Sequence, residues 1–414
     1  MLKYVDAAIH MPNNIETVKF LTTMTDSDYE SFLNLSPFPP FSEEVITYLN
    51  SLSKLLNKDP RVRQYPDVAT FSFFCRKANI VQLKRMFLKD GALILGRGIV
   101  FHIAPSNVPV NFAYSLIAGL LSGNSNIVRV PSKNFEQVKI IVDAINTLSH
   151  KSEHANITNR IILVKYDRSS EATERFSLVC DVRIIWGGDE TIHQIRTNPL
   201  PPRAFDITFA DRYSICAINA DSYINEMLPE KISVGFYNDT YLFDQNACTS
   251  PHLIFWLGNK ENVRKSQMIF WDSLYKIVSE KYQVQAVTAV DKITSFYSQA
   301  IMGSNLSLEQ KKDNLLYRIK LGELTEDIDQ FRCHSGYFSE YHASSLLELS
   351  TVINRKYQTL SYYGFSKKDI SGFIKLARPV GIDRIVPIGK TMDFSLNWDG
   401  YNLVDSLSRV IEIF

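Results

Sequence analysis

The sequence has no Cys-x-x-Cys pair. Its five cysteines, Cys75, Cys180, Cys216, Cys248 and Cys333, are odd in number and scattered. That argues against a disulfide framework and for a reducing compartment. The eight histidines show no spacing that would join these cysteines in a zinc site. Neither sign of charge is in excess: Lys and Arg number 45, Asp and Glu 44, and the formal net charge is +1. No basic face is needed to explain that balance, so nucleic acid is not expected as a principal partner. No clean membrane-crossing run is present either. The longest apolar stretch, Ile99 to Leu121, is broken by His102, Pro105, Asn107, Pro109 and Asn111, groups a spanning helix would have to carry into lipid. Met1 to Asp6 lack the charged-then-apolar layout of a signal peptide. Internal repeats and low-complexity tracts are absent. These absences together predict a cytoplasmic protein.

What remains is the composition of a soluble globular chain, with 45% hydrophobic and 21% charged residues. Its 414 residues suffice for two domains, and 20 Tyr with 25 Phe fit a large core. Residues 1–90 read as mostly helical. Ser42-Glu43-Glu44 sets a cap and two acids ahead of Val45, Tyr48, Leu49, Leu52 and Leu55-Leu56, and Val68 to Phe87 predicts a further pair of helices. From residue 98 strands and helices alternate. Gly98–Ile103, Asn126–Val130, Ile161–Val164 and Val182–Trp186 read as strands, with helices at Val110–Leu121 and Phe135–Leu148. That rhythm predicts a parallel, doubly wound α/β sheet. Gly91, Gly96 and Gly98 do not form the GxGxxG fingerprint and precede a strand rather than follow one. A dinucleotide bound to this sheet would therefore use another geometry. Residues 211–376, with a strand near Gly336–Glu340 and a helix near Ser345–Val352, suffice for a second α/β domain.

Chemistry concentrates in Asp244-Gln245-Asn246-Ala247-Cys248-Thr249-Ser250-Pro251-His252. Cys216 sits in an apolar strand, Tyr213 to Ile218. Cys248 instead sits among small and polar residues that leave its sulfur reachable, a setting suited to a low-pKa thiolate nucleophile. The bland alternative is an inert loop thiol. Cys333-His334 is a rival, but adjacent residues on an extended chain point to opposite faces; Cys75, Cys180 and Cys216 read as core. Upstream, a strand ends at Pro105 and a helix begins near Pro109. Asn107 thus stands at a strand's carboxyl edge, where open α/β sheets bind ligands. Its amide suits an oxyanion, or it simply caps the helix. Gly187-Gly188 after the strand ending at Trp186 reads by itself as a plain tight turn.

Three runs in this order, Pro105–Pro109, Gly123–Ser132 and Gln245–Cys248, resemble the motifs of aldehyde dehydrogenases. More closely, His102–Ser132 and Gln245–His252 resemble the LuxC-like acyl-CoA reductases, the fatty acyl reductase components that make the aldehyde for bacterial bioluminescence. The resemblance runs from residue 97 to about 258 and returns at Arg378–Ile385. It implies an aldehyde-dehydrogenase-like fold: a helical N-terminal region with an NADP-binding domain over 1–218, a catalytic domain over 219–376, and a returning segment over 377–414. It implies Cys248 as nucleophile and Asn107 as oxyanion amide, with Ser106, Arg129, Ser132, Gly187 and Gly188 at the cofactor. Ser132 stands where NAD-preferring members keep a ribose-binding Glu; with Arg129 and Lys133 nearby, the exchange implies NADPH. Thr208 stands where oxidising members keep a water-activating Glu, one residue of slip bringing Asp211 into play, and no Glu for the nicotinamide ribose is found around Arg332–Ser335. The expected activity is NADPH-dependent reduction of an acyl thioester to the aldehyde through acyl-cysteine. A cysteine acyltransferase, or a non-catalytic partner of an acyl-activating protein, is the alternative. The expected partners are the acyl thioester, an acyl-protein synthetase and further copies of the chain.

Overall fold

The computed structural model describes residues 18–23, 25–88, 91–167, 171–302, 305–310 and 313–413. The reading of Met1–Asp6 lies outside them. The described residues up to Ala210, with those from Tyr401 onward, form one compact unit, and the described residues from Asp211 to Gly400 form a second. This differs from the expected division at 218/219 and 376/377. The strand Tyr213–Asn219, which sequence spacing leaves at the end of the first domain, hydrogen-bonds on both sides to strands of the second.

In the first unit, Ser42 caps Glu43–Lys58 by accepting from the Val45 N–H at 3.5 Å, with Glu43 and Glu44 in the first turn. The acids meet the positive end of the helix dipole. The apolar stripe Val45, Leu49, Leu52 and Leu56 is buried. Helices Pro66–Phe74 and Lys77–Phe87 follow, the pair expected there. Strands β1 (Lys19–Phe20), β2 (Leu93–Gly96), β3 (Ile99–Ile103), β4 (Ser125–Arg129), β5 (Ile161–Lys165), β6 (Val182–Trp186) and β7 (Phe205–Phe209) complete the unit's main strands. Six form one sheet in the order β1-β5-β4-β3-β6-β7, parallel except for β1. β2 pairs separately with the C-terminal strand Ser408–Ile411.

The chain winds from β3 outward through β4 and β5, then returns to place β6 on the other side of β3. The gap between β3 and β6 is the switch point, the ligand-binding position of doubly wound sheets. Beneath it lies a buried polar network. His102 of β3 meets Ser115 Oγ through Nδ1 at 2.7 Å and Asn126 Oδ1 through Nε2 at 3.0 Å, while Trp186 Nε1 donates to the same Ser115 Oγ at 3.2 Å. Asn126 Oδ1 only accepts, its Nδ2 donating to the Asn124 carbonyl, so Nε2 has the ring proton and Nδ1 accepts from the Ser115 hydroxyl. Burial lowers the His102 pKa to about 4, so the ring is neutral. At the end of the helix Asn111–Leu121, Gly123 has φ +88°, and a Cβ there would stand 2.0 Å from the Phe38 carbonyl oxygen. Only glycine combines that backbone with that approach.

The second unit contains β8 (Tyr213–Asn219), β9 (Pro251–Leu257), β10 (Leu306–Gln310), β11 (Tyr317–Leu321), β12 (Tyr337–Ala343), β13 (Tyr357–Tyr363) and β14 (Arg384–Pro387). They form one sheet in the order β10-β11-β12-β9-β8-β13-β14, parallel except for β10. β9 is central and buried along its whole length, which explains its near-continuous apolar run. One face packs Ile254 and Trp256 against Phe236, Phe270 and Trp271 of helices Pro229–Thr240 and Lys260–Lys281. The other packs Leu253 and Phe255 with Ile215, Ile319 and Leu360. The turn expected as a helix near Ser345–Val352 is a 3₁₀ helix, Leu346–Thr351, with a Ser345–Glu348 capping box.

Candidate active site

At the first unit's switch point, β3 lies between β4 and β6, so the segments leaving their carboxyl ends adjoin. They are Ala104–Asn107, Val130–Lys133 and Gly187–Gly188, and they contain all five residues expected at a cofactor except Arg129, the last residue of β4. Asn107 is exposed. It does not cap the following helix, whose N-cap is Val110 with no side-chain hydrogen bond, so the capping alternative falls away. The Arg129 guanidinium donates to the Tyr166 carbonyl at 3.1 Å and lies 4.7 Å from the centre of its ring. Ser132 and Lys133 are exposed. Gly188 caps the helix Asp189–Arg196, and a Cβ on it would meet nothing within 4 Å. Asp189 and Glu190 occupy that helix's first turn, where their charge works against a bound anion. Thr208 lies within β7 in register with Ile185 and is half-buried.

The Cys248 loop is built in the second unit by two consecutive left-handed residues, Asp244 at φ +52° and Gln245 at φ +60°. Asp and Asn tolerate that region; Gln rarely enters it. Gln245 is held there by saturation of its buried amide. Nε2 donates to the Pro251 and Tyr337 carbonyls, both at 2.9 Å, and Oε1 accepts from the Gly336 and Tyr337 N–H groups, both at 3.0 Å. Tyr282 donates to Asp244 Oδ1 at 2.5 Å. Ser214 Oγ donates to the Cys248 carbonyl at 2.6 Å and accepts from the Thr359 N–H at 3.2 Å, stitching the loop to β8 and β13. Loop position is therefore set by contacts far away in sequence.

Cys248 alone of the five cysteines is only half-buried; the other four are buried. Its thiol nevertheless departs from the low-pKa expectation. Burial pushes it up to about 12 and the Asp399 charge adds to this, against a hydrogen bond from the Gln358 amide, the Arg212 charge and its own backbone N–H. Desolvation of the thiolate outweighs those three stabilising groups. Cys333 is no Cys–His pair. Its thiol is also raised by burial, and the His334 ring turns to Ser335 Oγ at 3.0 Å and Asp291 at 3.5 Å.

Sequence reasoning placed ligand chemistry at carboxyl edges. In this unit it gathers at the amino edge. Arg212 precedes β8, Cys248 precedes β9, Gln358 is second in β13, Asp383 precedes β14 and Arg384 opens it. Arg212 pairs with Asp383, and the Gln358 Nε2 donates to Asp399 Oδ1. Gln358, Asp399 and Arg212 had no local signal; Asp383 and Arg384 lay within the recognised Arg378–Ile385 run. Asp211 is gripped by Arg332 through both oxygens, at 2.7 and 2.6 Å, so it is an ion-pair partner. Among the described residues no group of His, Cys, Asp and Glu could hold a metal ion, and no helix is long and apolar enough to cross a membrane.

Comparison with known proteins agrees with this architecture. Solved structures of similar fold include lactaldehyde dehydrogenase from Escherichia coli, with TM-score 0.63 and 10% identity over 92% of this chain and 87% of that one. A NAD-dependent benzaldehyde dehydrogenase from Corynebacterium glutamicum gives TM-score 0.62 and 12% identity over 98% and 88%. Among curated proteins, a long-chain acyl-protein thioester reductase from Aliivibrio fischeri is 23% identical over 300 residues, covering 71% of this chain and 58% of that protein. Its namesake from Vibrio harveyi is 23% identical over 288 residues, covering 63% and 58%. The chain thus spans little more than half the length of these relatives. The acyl-CoA reductase (LuxC) family matches residues 91–410. With that match covering most of an α/β chain of aldehyde dehydrogenase fold, the protein belongs to the LuxC acyl-CoA reductase family.

Proposed function

We propose that the chain reduces an acyl thioester, carried by coenzyme A or by a protein, to the aldehyde through an acyl-Cys248 intermediate. The observation that carries this reading is Cys248 itself: the one incompletely buried cysteine, on a braced loop at a sheet edge, in a chain of this family. The deprotonated sulfur attacks the thioester carbonyl carbon, and the C=O electron pair moves onto oxygen. We assign the oxyanion to the Cys248 N–H and the Asn107 amide, each worth on the order of 3 kcal/mol of barrier. Collapse expels the donor as a free thiol and leaves acyl-Cys248, with no change of oxidation state.

The donor set past β4 fits a phosphorylated nicotinamide dinucleotide. Ser132 and Lys133 are exposed, no acid lies within residues 130–134, and the backbone at Gly188 is open to close approach. We assign Ser132, Lys133 and Arg129 to a 2′-phosphate, and Ser106, Gly187 and Gly188 to the rest of the cofactor. NADPH bound there would supply hydride to the acyl carbon. With Thr208 in place of a water-activating carboxylate and Asp211 tied to Arg332, acyl-Cys248 is slow to hydrolyse. We expect a cytoplasmic homo-oligomer working beside an acyl-activating synthetase.

The test is intact mass of the protein mixed with a panel of acyl-CoAs, together with absorbance at 340 nm. Acyl mass gain, discharged on adding NADPH with loss of absorbance, is the expected result. Mass gain with no oxidation of NADPH would make the chain an acyltransferase, and no mass gain with any donor would overturn the reading.

A further inference from the structure

Lys292, on the helix Ala286–Met302, turns its charge inward. It is fully buried, and its ammonium donates to two backbone carbonyls, those of Asn314 and Ser335, both at 2.6 Å. Both partners are uncharged. Burial therefore prevails and lowers the pKa to about 8, against the charges of Cys333 and Asp313. A buried cation held only by carbonyls is costly to a fold, and its value lies in what it holds.

It holds two turns at the amino edge of the second sheet. Asn314 leads into β11 and Ser335 into β12, and both are left-handed, at φ +58° and φ +57°. Asn tolerates that region; Ser seldom enters it. β12 is the neighbour of β9, and the Ser335 turn is where it grips the Cys248 loop. The Ser335 N–H donates to the Asp244 carbonyl at 2.9 Å, and the next two N–H groups, of Gly336 and Tyr337, donate to Gln245 Oε1. Tyr282 closes the same corner, donating to Asp244 Oδ1 at 2.5 Å with its oxygen 2.9 Å from Ser335 Oγ. One residue, Ser335, thus stands between the ammonium and the loop.

We propose that Lys292 is a positioning residue for Cys248: by holding the Ser335 carbonyl it fixes the left-handed turn whose N–H groups set the loop. The proposal rests on the reading of Cys248 as acyl acceptor. An ammonium suits the task because it has three hydrogens and can serve both carbonyls at once, whereas a Met in its place has none to give. Freed of that hold, Ser335 relaxes from its left-handed backbone and takes the anchor of Asp244 and Gln245 with it. The sulfur keeps its chemistry and loses its place.

The test follows two reactions of Cys248 in the full chain at pH 7, where Lys292 is charged. Lys292→Met should slow acyl transfer from palmitoyl-CoA, read by intact mass, about 10- to 100-fold, because attack depends on geometry within an ångström. The same variant should speed alkylation by iodoacetamide, mapped on the Cys248 peptide, about tenfold, as water returns to the sulfur and lowers its raised pKa by about one unit. A loss of stability alone would not move the two rates in opposite directions. Lys292→Gln, with an uncharged donor on a shorter stem, should fall between. Thr288→Val, one turn earlier on the same buried face, should leave both rates unchanged. Unchanged rates in the folded Lys292 variants would overturn the proposal, and so would equal shifts in Thr288→Val. Failure of both Lys292 variants to fold would make Lys292 a structural residue and overturn the positioning role. Alkylation uses neither acyl thioester nor NADPH. A native chain that takes no acyl group, with alkylation responding as expected, would sink the acyl-acceptor reading and leave the hold of Lys292 on the loop standing.

Discussion

Gln245→Ala is the sharpest test of how the Cys248 loop is held. The Gln245 side chain satisfies two buried backbone N–H groups, of Gly336 and Tyr337, and donates to the carbonyls of Pro251 and Tyr337. The carbonyls each have a second lone pair, but the N–H groups have no second chance. Leaving two buried donors unsatisfied costs about 1–3 kcal/mol each, so about 4 kcal/mol in all. Both residues at the φ +60° position carry a Cβ, so backbone strain cancels. In a unit of this size the loss should lower the melting transition by ~8–16 °C. Urea unfolding followed by tryptophan fluorescence measures it, since Trp256 and Trp271 lie in this unit's core. Gln245→Glu supplies an internal control. Its carboxylate can still accept from both N–H groups but faces two carbonyls, and once protonated it can donate again, so its stability should recover as pH falls. A Gln245→Ala protein within about 1 kcal/mol of the native one would refute the reasoning, because no satisfied pair of buried N–H groups should be so cheap to orphan.

Three further expectations follow from the same structure. Cys248→Ala should abolish acyl mass gain and aldehyde formation while Cys333→Ala leaves both largely intact; intact-mass and aldehyde assays decide. Ser132→Glu should weaken NADPH by placing a carboxylate beside its 2′-phosphate and favour NADH in relative terms, and unchanged ratios of kcat/KM would count against that placement. Acid stability should reflect His252. Burial, with Arg332 nearby, lowers its pKa from 6.5 to about 3, so the unfolded chain takes up its proton first. Stability is present above pH 6.5 and drains as pH falls toward 3, at about 1.4 kcal/mol per pH unit. His252→Phe keeps a ring against Tyr213, now 5.5 Å away, and should flatten the acid limb of a pH–stability curve.

The fold was legible where residues act on near neighbours. The Ser42 cap, the stripe from Val45 to Leu56, and the alternation of strands and helices from Ile99 onward are periodic signals, and the structure realises them within a residue or two. The helix at Asn111–Leu121 ends as expected at Gly123, whose backbone demands glycine. The buried His102 network was less visible, since a single histidine in an apolar run carries no mark of its partners Ser115 and Asn126.

The candidate site divides along the same line. Cys248 stood out in sequence because small and polar neighbours surround it; Asn107 could be named from a strand end, and Ser132 and Gly188 from the family resemblance. The amino-edge groups could not. Gln358 lies 110 positions beyond Cys248, and its strand reaches the same sheet edge only because β13 pairs with β8, which pairs with β9. Nor could the sign of the thiol's shift be read. Local composition suggested a stabilised thiolate, but pKa depends on how much water the assembled unit excludes and which charges it brings near, and here desolvation prevails. Sequence by itself determined the elements and their order, because capping, periodicity and turn chemistry are local interactions. Only tertiary structure decided the loop's bracing, the company of the sulfur and its protonation, because burial and Coulomb interaction depend on distance in space and ignore distance along the chain.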